Sequence, residues 1–209
     1  MTASEHVPGT AAEELFSRAE LTDRQAVHSA SSSVTGMVLL VASEAVFFAA
    51  FFGIYAVSYT AARVWPPAGV TTPSVLVPTI GTVVLLASGV VMAQAMRRVH
   101  SSSYPRGVVP WLSAALILAV VFGVLTAIGY ASIPFSASQG IYQSLFHMII
   151  GLEFAHIVGG AVLLGLVLTR TWTGELALRR DPVQAAAIYW YFVVVLGVAI
   201  YLILYLAGA

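Results

Sequence analysis

Five long apolar runs dominate this chain, at residues 34–62, 74–96, 108–131, 141–168 and 185–207. A helix needs about 20 apolar residues to cross the hydrocarbon layer of a membrane, and every run reaches that length. Barrel strands would alternate in polarity over about ten residues, whereas these runs are continuous. The expected fold is therefore all-α, an integral membrane bundle of five transmembrane helices. Composition agrees, since only 9% of the residues are charged, against about 25% in a soluble domain. The nine basic residues are all Arg and balance nine acids, and zero net charge argues against a nucleic-acid partner. The absence of Cys excludes a disulfide scaffold, a thiolate metal site and a cysteine nucleophile.

Residues 1–33 differ in kind, with five acids, two Arg and a Ser-rich stretch. They read as a polar tail ahead of the membrane domain at 34–209. Thr10 and Glu13 fit a capping box opening a short surface helix to about His28. No basic segment precedes a short apolar core, so a signal peptide is not expected. Eight of the nine Arg fall in the tail and the second and fourth loops, leaving Arg63 alone on the other side. The positive-inside rule then puts the N-terminus in the cytoplasm and the C-terminus outside.

Small residues recur every fourth position: Ala45, Ala49 and Gly53 in the first run, Ala115, Ala119, Gly123 and Ala127 in the third, and Gly151, Ala155 and Gly159 in the fourth. Such stripes let helix backbones approach closely. The runs show no internal repeat of the kind that marks inverted-repeat transporters.

Two acids lie inside the apolar runs, Glu44 and Glu153. A carboxylate at that depth is costly unless protonated or paired. Glu44 sits among Ser43 and the rings of Phe47, Phe48, Phe51, Phe52 and Tyr55. A proton-relay role and a hydrogen bond to a neighbouring helix both fit it. Glu153 and His156 are spaced i,i+3 on one helix and are expected to form a buried hydrogen-bonded pair. Glu-x-x-His is half of a di-iron carboxylate site, but the second pair and the further acids are missing. His147 and His156 stand nine residues apart on one helix and cannot both be axial ligands of one haem. No metal or cofactor is expected on this chain, and no nucleophile with its base is present, so no catalytic residue is expected.

Read along the helices, the chain resembles haem-copper oxidase subunit III. The resemblance rests on Ser43-Glu44-Ala45-Val46-Phe47-Phe48, Trp65-Pro66-Pro67-Ala68-Gly69 and Leu85-Leu86-Ala87-Ser88-Gly89. Further matches are Pro134-Phe135, Gly140, Tyr142, Gly151, His156, Gly159-Gly160, Tyr189-Trp190 and Phe192-Val193. They run in order over about residues 37–205. The family usually has seven helices, and this chain resembles a five-helix form without the first two. That pair is carried by subunit I in some relatives.

The resemblance implies an accessory role. Haem and copper are expected on partner subunits, with subunit I as the main contact, subunit II and small subunits as further partners, and bound phospholipid. The role implied is support of proton uptake and of stability during turnover, in a bacterial cytoplasmic membrane. Glu44 matches the family's carbodiimide-reactive carboxylate. Three positions depart from the family pattern. The last helix reads Trp190-Tyr191-Phe192-Val193-Val194, without the usual His and Asp. Glu153 stands where a first His is usual, and Gly129 where a Glu is usual. Cytochrome c and quinol remain open as donors. A nitric-oxide-reductase-associated homologue remains a second reading, and a stand-alone transporter or channel using Glu44, Glu153 and His156 a third.

Overall fold

The computed structural model describes residues 11–101, 106–176 and 179–207, with side chains from residue 32 onward. Five helices follow in order: α1 (Ala11–Ala61), α2 (Leu76–Val99), α3 (Val109–Ala131), α4 (Ile141–Trp172) and α5 (Asp181–Ile200). A 3-10 turn, Ala137–Gln139, precedes α4, and α5 winds on as a π turn, Tyr201–Leu206. All five helices are long and apolar enough to cross a membrane, and no strand occurs among the described residues.

Local sequence explains the ends. Pro110 and Pro182 sit in the first turns of α3 and α5, where a missing N–H costs no helical bond. Arg97 and Arg98 close α2, and Arg170 falls in the last turn of α4, each facing the negative end of a helix dipole. Gly174, at φ 84°, takes the left-handed conformation just beyond α4, which a glycine adopts without strain.

The bounds differ from the sequence reading mostly at the cytoplasm-expected end. Helix α2 continues to Val99 instead of 96, α4 to Trp172 instead of 168, and α5 starts at Asp181 instead of 185. These extra turns are polar or charged, so hydropathy did not include them. The larger difference lies in residues 11–33. They form no separate surface helix, because α1 passes through residue 33 without a break. The segment contains neither Gly nor Pro, so nothing in it stops a helix. The expected Thr10–Glu13 capping box lies outside the described residues. At 1.5 Å per residue α1 is about 76 Å long, well beyond the span that starts at Ser32.

Helices α2, α3, α4 and α5 pack around one apolar core, centred on Leu85, Met92, Leu112, Ile157, Leu164 and Trp190. Trp190 is fully buried and its indole N–H donates to the Ser88 hydroxyl at 3.0 Å. Gly160 lets it in: a Cβ there would lie 2.9 Å from the indole ring. A second core joins α1, α4 and α5 through Phe48, Tyr142, Phe146, Ile149 and Leu204. Near the end of the bundle that carries the C-terminus, it continues into a cluster of rings. There the Trp65 N–H donates to the Tyr55 hydroxyl at 3.0 Å, and Trp65 meets Tyr142 edge-on at 5.2 Å. Helix α1 is the least covered element. Only 6% of its most apolar window is buried, against 39% for α5, and Val46, Phe47, Ile54 and Val57 point outward.

Candidate functional site

Glu44 and His156 come from sequence positions 112 apart and meet at mid-bundle. His156 Nε2 lies 3.3 Å from Glu44 Oε2. His156 is also fixed from its other side, because Nδ1–H donates to the Leu152 carbonyl at 2.7 Å. With Nδ1 committed as donor, Nε2 of the neutral ring is an acceptor. A hydrogen bond across the Glu44–His156 contact requires one proton between its two atoms. Either the carboxyl donates to Nε2, or the imidazolium donates to the carboxylate. Both forms have zero net charge, which is how an acid and a base can sit at this depth.

Rings wall the pair in. Phe48 stands edge-on to His156 at 5.2 Å and Phe192 at 6.1 Å, while Tyr189 stacks parallel at 6.4 Å. The Tyr189 hydroxyl donates to the His156 carbonyl at 3.4 Å. The wall is incomplete: the His156 side chain is 12% exposed and that of Glu44 31%, so one side of Glu44 opens onto the bundle surface. Ser43 does not join the pair, since its hydroxyl donates to the Leu40 carbonyl of its own helix.

The expected Glu153–His156 pair is corrected by this geometry. Residues spaced i,i+3 are neighbours along a helix but point about 60° apart. His156 turns toward α1, whereas Glu153 turns into the junction of α2, α3 and α5. Glu153 is 5% exposed and its Oε1 lies against Gly197, where a Cβ would stand 2.8 Å away. It has no hydrogen-bond or ion-pair partner among the described residues.

His147 is separate from both acids. Its Nδ1–H donates to the Gln143 carbonyl at 2.9 Å, and its ring packs beside Tyr130 and Phe135. Among the described residues no group of three His, Cys, Asp or Glu could hold a metal ion. Both ring nitrogens of His156 are engaged, Nδ1 by the Leu152 carbonyl and Nε2 by Glu44.

The small-residue stripes divide. Ala115 and Ala119 are buried, and a Cβ on Gly123 would meet Ile157 at 3.3 Å. Ala119 and Gly123 also floor an apolar groove of about 420 Å³ between α3 and α4, walled by Phe154, Val158 and Val162. In α4 the packed stripe is displaced from the expected one. Glu153, Ile157, Gly160, Leu164 and Val167 face the core. Gly151 meets nothing within 4 Å, Ala155 is exposed, and Gly159 approaches only the Tyr189 hydroxyl. In α1, Gly53 likewise meets nothing.

Sequence reasoning missed the Glu44–His156 contact and the place of Tyr189 beside it. A depth signal for the contact was present. Glu44 lies 17 residues before the end of α1 and His156 15 residues after the start of α4, and both ends belong to the same face of the bundle.

Comparison with known proteins bears on the whole chain. Residues 14–209 match the family Cytochrome c oxidase subunit III. The chain is 31% identical to cytochrome c oxidase subunit 3 of Xenopus laevis, over 83% of this chain and 69% of the relative. It is 34% identical to that of Pan troglodytes, with the same coverage. The Lumbricus terrestris protein is 33% identical, over 83% of this chain and 70% of the relative. A match that runs through all five helices and contains both intramembrane acids places this multi-pass membrane chain in the cytochrome c oxidase subunit III family.

Proposed function

We propose that the chain works as subunit III of a haem-copper oxidase, an accessory subunit of the complex that reduces oxygen. The observation that carries this reading is the family match over residues 14–209. In this reading haem and copper reside on partner subunits. Subunit I is the main contact, and subunit II and small subunits are further neighbours. The bare, apolar face of α1 suits a partner helix, and the α3–α4 groove, apolar on every wall, suits a phospholipid chain. The N-terminus lies in the cytoplasm of a bacterial cell and the C-terminus outside, a reading supported by eight Arg of nine on one side.

Glu44 and His156 are the residues proposed to support proton supply. They share one proton, lie near mid-membrane and keep an open side. The chemical step is not theirs, since oxygen reduction belongs to the partner subunits. Purification in mild detergent, with a visible spectrum and identification of the co-purifying chains, tests the assignment. A haem spectrum with two larger partner chains is expected. A colourless, monodisperse homo-oligomer overturns the reading in favour of a stand-alone transporter or channel.

A further inference from the structure

The junction of α2, α3, α4 and α5 holds a partly open cavity of about 40 Å³. Its wall runs from Glu153, Gly197 and Phe122 near mid-membrane to Val77, Gly129 and Tyr205. The last three lie within a few residues of the helix ends at the face that carries the C-terminus. Two polar side chains on this wall are more than nine-tenths buried, Glu153 at 5% exposure and Tyr205 at 8%. Neither makes a hydrogen bond to any described residue, and neither does Thr126, a third polar group on the wall.

Buried polar groups are almost always satisfied, by protein or by ordered water. No described residue hydrogen-bonds Glu153 or Tyr205, and the other hydroxyls on the wall, Thr82 and Tyr201, are bonded to the Pro78 carbonyl and to Thr79. A water needs about 10–15 Å³ of such space and two to four polar partners. The cavity has the room, and Glu153, Tyr205 and Thr126 supply the partners. A purely apolar void of this size would stay dry, but this wall is not apolar.

We propose that this cavity is an internal-water site in which about two or three waters join the Glu153 carboxyl to Tyr205 and exchange its proton with the membrane face that carries the C-terminus. The carboxyl O–H proton passes to the adjacent water as a proton from a neighbouring water returns, so no net charge is left behind. The site is distinct from the Glu44–His156 pair, which faces α1 and is backed by rings. Its existence does not depend on which electron donor the complex uses.

Infrared spectroscopy of the protein, purified with its native partners, tests the proposal. Glu153→Gln identifies the Glu153 carboxyl C=O band by removing it. That band is expected to shift in D2O before the amides of the helix cores exchange. Gly129→Leu places a larger side chain at the mouth, where the nearest atom to a Cβ is Val77 Cγ1 at 3.9 Å. It is expected to slow the shift roughly tenfold while the assembled complex keeps its spectrum. A band that does not respond to D2O, or one that shifts equally fast in Gly129→Leu, overturns the exchange path. The lack of any C=O band lost in Glu153→Gln also overturns it, since there is then no O–H proton to exchange. A density map of the unaltered complex decides independently of the variants. Ordered water between Glu153 and Tyr205 supports the site, and a dry cavity or a direct Glu153–Tyr205 hydrogen bond refutes it.

Discussion

The two intramembrane acids solve the same problem in opposite ways. Glu44 is partly exposed at the bundle surface and relies on a protein partner, His156, which is itself anchored to a backbone carbonyl. Glu153 is enclosed by four helices and has no protein partner among the described residues, only a small cavity with hydroxyls on its wall. Burial therefore does not rank these acids by how firmly they are held. The exposed acid belongs to a fixed pair, and the buried one depends on space.

Crowding the buried region should have the largest effect. A Cβ at Gly197 would already stand 2.5 Å from Leu85 and 2.8 Å from Glu153. Gly197→Leu is expected to cost about 3 kcal/mol by overpacking, seen as a lower unfolding midpoint in detergent by Trp fluorescence. An unchanged midpoint would mean that the junction is looser than its geometry implies.

Making each acid apolar should separate the two regions next. Glu44→Leu removes the partner of His156 Nε2, and leaving that group unsatisfied costs about 1–3 kcal/mol. Glu153→Leu breaks no direct hydrogen bond to a described residue and affects only the cavity waters, so a smaller change, below about 1 kcal/mol, is expected. Equal losses in chemical-denaturation curves would erase the distinction. A double-mutant cycle sharpens it further. Glu44→Gln with His156→Asn should show a coupling of about 0.5–3 kcal/mol, while Glu44→Gln with Glu153→Gln should be additive within about 0.5 kcal/mol.

The smallest effect belongs to the open stripe of α4. A Cβ at Gly151 would have nothing within 4 Å, so Gly151→Leu should change the stability of the isolated chain by less than about 0.5 kcal/mol. Its effect on co-purification with the large subunits is the informative measurement. Loss of the partners with an intact chain would mark that stripe as an external contact.

The helices were legible because the membrane demands long apolar runs, and each of the five is close to where hydropathy places it. The start of α1 was not, since a change from apolar to polar residues near 33 marks the membrane surface without ending a helix. The acids themselves stood out as the only carboxylates in the runs. Their partners did not. Whether Glu153 turns toward His156 or away from it depends on where α2, α3 and α5 pack, which spacing along α4 does not determine. The same holds for Gly160. It lies one position from the expected Gly159, yet it is the residue pressed against Trp190, and a shift of one residue rotates the contact by about 100° around the helix.

The short span of the Glu44–His156 contact also limits how a proton bridging it would respond to voltage. Carrying a full charge across the membrane changes energy by about 2.3 kcal/mol per 100 mV. Within the pair a proton moves no farther than the 3.3 Å between its atoms. Against a hydrocarbon thickness of about 30 Å, that displacement couples to the field by at most about 0.25 kcal/mol per 100 mV. An energised membrane would therefore leave a proton's position within the pair almost undisturbed.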